Sequence, residues 1–117
     1  MNDLFKTIIS EQLSSVEFVQ DYLQLRFDGN TLTCYDWPIV VVNSIVYELS
    51  MDGYRDALCK FISHKIENVI LIEDNYLEIL FKNGNQIILS LKRNESNSNL
   101  PELAYFTSID NKHVVLN

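Results

Sequence analysis

Two histidines, His64 and His113, and two cysteines, Cys34 and Cys59, are the side chains best suited to metal or nucleophilic chemistry in this 117-residue chain. Neither histidine has Cys, His or acidic companions at metal-ligand spacing. His64 follows Cys59 by five residues, which is not one helical face, so no thiol–imidazole pair is expected. Both cysteines sit in apolar periodic segments, where Cys behaves as a small hydrophobe. The three glycines fall in two hairpin turns and at a helix start, so no phosphate-cradling loop is present. The residue types therefore predict no catalytic residue, no metal and no cofactor.

Binding chemistry has two candidate locations. Asp52, Arg55 and Asp56 make a charged cluster at an expected helix start, where the helix dipole already favours acids. Arg55 and Asp56 are the ligand-binding candidates there. Tyr22, Thr33, Tyr35 and Trp37 fall on one expected sheet face, with Glu17, Asp28 and Asp36 nearby. If that face is open, it is an acidic aromatic contact surface with Tyr22, Asp28, Tyr35, Asp36 and Trp37 as partner-binding candidates. If a helix or the segment after Trp37 covers it, the same residues are packing.

Charge narrows the partners. The net charge is −7, and residues 1–56 hold nine acids against three bases. Phosphate backbones need clustered Lys and Arg, so nucleic acid is not an expected partner. A basic protein is, because complementary charge speeds encounter. No run approaches the roughly 20 apolar residues of a membrane span. The start of the sequence shows no export signal, so a reducing cytoplasm is the expected location.

The elements that position these groups follow from a repeat. Ile9, Ser10, Val16, Asp21, Tyr22, Leu23, Phe27, Gly29 and Asn30 recur as Ile62, Ser63, Val69, Asp74, Tyr76, Leu77, Phe81, Gly84 and Asn85. The two one-residue shifts fall in polar turns, where chains tolerate insertion. Leu4, Phe5, Ile8, Ile9 and Leu13 recur at helical spacing, as do Tyr54, Leu58, Phe61 and Ile62. Leu23, Leu25 and Phe27, and again Leu77, Ile79 and Phe81, alternate as in half-buried strands. Asp28-Gly29-Asn30 and Asn83-Gly84-Asn85 supply hairpin turns. The expected fold is α+β: two helices packed on antiparallel β-sheet, an internal duplication of an α-β-β-β unit. One domain spans 1–117, with copies at 2–36 and 52–92, a bridge at 37–51 and a tail at 93–117. Tyr22 and Tyr76 are expected to pack across the seam between copies.

Tyr22–Gly29, Gly53–Cys59 (GYRDALC) and the tail from Pro101-Glu102 to Tyr105-Phe106 resemble segments of a family of small uncharacterised bacterial α+β proteins. That resemblance carries no chemistry. In size and acidity the chain also resembles immunity proteins of bacterial toxin systems, which implies an inhibitor of a basic toxin. The expected function is thus non-enzymatic protein binding. The alternatives are a small-ligand-binding or regulatory domain with a pocket near Arg55 and Asp56, and a self-associating protein that forms a homodimer through open strand edges.

Overall fold

The computed structural model describes residues 2–117. Alternating apolar residues and tight polar turns fold each half of the chain around a three-stranded meander. In the first half these strands are β1 (Ser15–Phe18), β2 (Leu23–Phe27) and β3 (Asn30–Cys34). In the second they are β6 (Ile66–Ile72), β7 (Tyr76–Phe81) and β8 (Gln86–Ser90). Leu23, Leu25 and Phe27 of β2 are buried, as are Leu77, Ile79 and Phe81 of β7. Leu25 faces Leu32 across the first meander, and Ile79 faces Ile87 across the second.

The segments flanking the meanders are hairpins: β4 (Ile39–Val42) with β5 (Ile45–Tyr47), and β9 (Ala104–Thr107) with β10 (His113–Leu116). Each hairpin joins the meander of the other half. The first sheet has the order β1-β2-β3-β9-β10 and the second β5-β4-β8-β7-β6, both fully antiparallel. What reads as a bridge in sequence therefore completes the second sheet, and the tail completes the first. The registers correspond: Leu32 faces Phe106 and Ile87 faces Val40. The inward residues of both sheets share one core with Phe5, Ile8, Leu13, Tyr54, Leu58 and Phe61.

The expectation of two helices packed on a sheet is overturned: the fold is mostly β. Helix α1 spans Asn2–Phe5 and continues as a 3-10 turn over Lys6–Ile8; α2 spans Tyr54–Cys59. Helices this short carry the nucleation cost with few bonds to offset it. The β-branched run Thr7-Ile8-Ile9 disfavours continuation of the first. Ser10 and Ser63 then adopt positive φ (72° and 76°) and turn the chain away. The apolar spacing from Leu4 to Leu13 arises because a turn followed by an extended segment also buries Phe5, Ile8 and Leu13. No side chain caps the start of α2. Gly53 precedes α2 at φ 85°, a left-handed conformation that glycine adopts without Cβ strain. Nor do Tyr22 and Tyr76 meet at a seam. They flank buried Leu23 and Leu77, and so point outward on two different sheets.

The halves are tied reciprocally where the chain leaves each helical turn. The Ser10 N–H donates to the Ile66 carbonyl at 2.9 Å, and the Ser63 N–H to the Leu13 carbonyl at 2.8 Å. Leu13 N–H reaches the His64 carbonyl and Ile66 N–H the Glu11 carbonyl. Two asparagines clasp the exchanged hairpins. Asn30 accepts the Ile109 N–H at 2.9 Å, and Asn85 accepts the Asn43 N–H at 3.1 Å. Asn30 also donates to the Phe27 carbonyl at 3.0 Å.

Asn30 is 5% exposed, so water cannot replace its partners. We expect Asn30→Ala to lower the urea-unfolding free energy by about 1–3 kcal/mol. Asn85→Ala, at a half-buried site, is expected to cost less than about 1 kcal/mol. Equal losses would mean that burial does not set the strength of the clasp.

Candidate functional site

Strand alternation that sends Leu23, Leu25, Leu32, Cys34 and Phe106 inward sends their neighbours to the opposite face of the first sheet. Register aligns them in rows: Glu17–Gln24–Thr33–Tyr105 and Ser15–Arg26–Thr31–Thr107. Tyr22 and Tyr35 extend the face at one end, with ring centroids 6.0 Å apart. At the other side Tyr105 hydrogen-bonds His113 Nδ1 at 2.5 Å, the rings stacked at 5.4 Å. The face stays open to solvent: Gln24, Arg26, Thr31, Tyr105 and Thr107 are only partly buried, and the main helix contacts are those of α2 with β4 and the edge strand β1 and of α1 with β6.

The polar groups of the face are fixed by one another. Arg26 Nε donates to Glu17 at 2.7 Å, and its other nitrogens reach Thr31 (3.3 Å) and Gln24 (3.2 Å). Gln24 in turn donates to Thr33 Oγ1 at 3.1 Å. The hydrogen bond to Arg26 holds the Glu17 carboxyl below its ordinary range, and the same contact raises Arg26. An exposed ion pair of this kind adds little stability, but it presets the side chains a partner would meet. Burial raises the Tyr35 phenol, and the Glu102 carboxylate, Tyr22 and Tyr105 add to the shift. The Tyr35 hydroxyl therefore keeps its proton at neutral pH.

The sequence-derived candidates separate. Tyr22 and Tyr35 belong to the face. Asp36 does not act as a free acid: it accepts the Trp37 N–H at 2.9 Å and the Asn97 amide at 3.1 Å. Trp37 is half-buried against the core. Asp28 lies at the β2–β3 turn with φ 50°, at the opposite end of these strands from Tyr22 and Tyr35. Arg55 and Asp56 are exposed on α2, beside an open hollow of roughly 210 Å³ that also touches Met51 and Gly53. Arg55 instead reaches over the Phe18 ring at 5.8 Å. Tyr105, Glu102 and the placement of His113 are not evident in the sequence. The alternation Ala104-Tyr105-Phe106-Thr107 marks a strand, but only the topology sets it beside β3.

Among the described residues, no group of three or more His, Cys, Asp or Glu side chains is placed to hold a metal. No helix among them is long and apolar enough to cross a membrane. The chain matches no known protein family, no curated protein and no solved structure.

The two thiols differ in surroundings. Cys59 is exposed; Cys34 is buried, and burial, reinforced by the Asp36 charge, pushes its thiol up to about 12. A thiol reagent is expected to label Cys59 alone in the native chain. Unfolded, Cys34 ionises near its ordinary 9.0, while folded it keeps its proton to about 12. Its contribution to stability is thus complete below pH 9.0 and lost as pH rises toward 12. Thermal melts should show a midpoint that falls above pH 9.0, with a shallower fall in Cys34→Ala. A slope unchanged by that substitution would remove Cys34 as a cause.

Proposed function

We propose that the chain is a non-enzymatic protein-binding module that docks a basic partner on the open face of its first sheet. The observation that carries this reading is the grouping of Tyr22, Tyr35 and Tyr105 on an uncovered face beside Glu102. Tyrosine brings a large contact area, a polar tip and little rotamer entropy to lose, which is why interfaces are rich in it. Strand backbone and the Arg26 network hold the face in shape before any partner arrives, which lowers the ordering cost of binding. The Glu102 carboxylate beside the tyrosines and the net charge of −7 favour a basic partner. Inhibition of a basic toxin is one instance of such docking.

The test is a titration by biolayer interferometry against a panel of purified basic proteins, cationic nucleases included. The expected result is at least one binder whose affinity falls about tenfold between 50 and 300 mM salt. Tyr35→Ala should weaken that binder by a further factor of at least about ten, as hot-spot tyrosines do, without lowering the thermal midpoint by more than a few degrees. Salt-insensitive association, or a binder indifferent to substitution of all three tyrosines, would refute the reading.

A further inference from the structure

The second sheet also has an uncovered face, and its chemistry is the opposite. The outward positions run Ile70–Glu78–Ile88–Ile39 in one row and Asn68–Leu80–Gln86–Val41–Val46 in the next. Ile72 and Val46, at its two sides, are 44% and 48% exposed. Among these described positions Glu78 alone carries a charge, and it accepts a hydrogen bond from Gln86 at 2.8 Å. Contiguous aliphatic area of this kind on a folded surface marks a contact site.

We propose that this face seats the same face of a second copy of the chain. Charge selects the occupant. Each copy carries −7, so two copies repel wherever their acids meet. The aliphatic rows let them approach through a nearly neutral surface. These outward positions hold no Lys or Arg to attract an acidic partner, and one engaged carboxylate to attract a basic one. Its pleated rows of Ile and Val can pack on their own copy as two sheets pack in a sandwich, about 10 Å apart. Size sets the strength. Five strands spaced about 4.8 Å apart give a face about 20 Å wide and roughly 17 Å long. With side-chain relief, its accessible area is on the order of 600 Å² per partner, the low end of specific interfaces. The dimer is therefore weak and reversible.

Sedimentation velocity on the full chain from about 1 to 200 μM tests this. The expected result is a monomer–dimer equilibrium, the mass rising from 13.6 kDa toward twice that value. Ile88→Lys at the centre of the face should raise Kd at least tenfold. Val46→Lys, at a side chain already half in solvent, should do the same without risk to the fold. Tyr35→Ala on the first sheet should leave Kd unchanged, which separates this contact from the proposed partner surface. A chain that stays monomeric at 200 μM overturns the proposal, whether or not it binds neutral phosphatidylcholine vesicles. So does a dimer indifferent to both lysine substitutions.

Discussion

Neither half of this chain can finish its own sheet. The short strands of the Ile39–Tyr47 hairpin close the second meander and those of the Ala104–Leu116 hairpin close the first. Beyond its own two-stranded pairing, each hairpin is thus held by a strand far away in sequence. The exchange works because the chain crosses itself at residues 10–13 and 63–66, where backbone hydrogen bonds run in both directions between halves. At that crossing Leu13 and Ile66 are wholly inaccessible to water, so the peptide groups beside them must find partners in protein. The crossing and the asparagine clasps fix how the two sheets are shared, and the core follows from that.

The exchange also assembles the surfaces. Tyr105 comes from the last quarter of the chain and stands beside Thr33 because β9 pairs with β3. Ile39 and Val41, from the first half, stand beside Ile88 and Gln86 for the reciprocal reason. One sheet therefore presents hydroxyls, amides and an ion pair to solvent, while its counterpart presents aliphatic rows. The inward faces show no such contrast, since both supply Leu, Ile, Val and Phe to one core. Selection on the outward positions of a strand is free to differ between sheets, because those positions do not touch the core that both must build.

What could be read from the sequence was the local pattern. The period-two alternation of Leu23–Phe27 and Leu77–Phe81 located the central strands and their buried sides. Gly29-Asn30 and Gly84-Asn85 marked hairpin turns, with no hint that the asparagine amides bind another segment. The helices were misjudged because residues 4–13 satisfy a helical stripe and also a single turn followed by an extended run. Pattern alone does not separate these at such length. That Tyr22 and Tyr35 share a face was legible because both flank one meander. The engagement of Asp36 by Asn97 and of Trp37 by the core could not be read locally, because those partners come from elsewhere in the chain. Contacts at long sequence separation leave no local periodicity, and the docking of the exchanged hairpins on β3 and β8 consists of such contacts.

The reciprocal hairpins bear on how the molecule is made. During synthesis β3 emerges early, yet its neighbour β9 lies some seventy residues later. Through most of translation the nascent first meander carries a naked edge of unpaired amides and carbonyls, the template on which foreign strands accrete. Thr33 and Thr31, which stand outward along that edge, keep it from being wholly greasy during the wait. Slow vectorial maturation, completed only as the ribosome delivers residues 104–116, is the cost of a topology in which each half lends the other its closing strands.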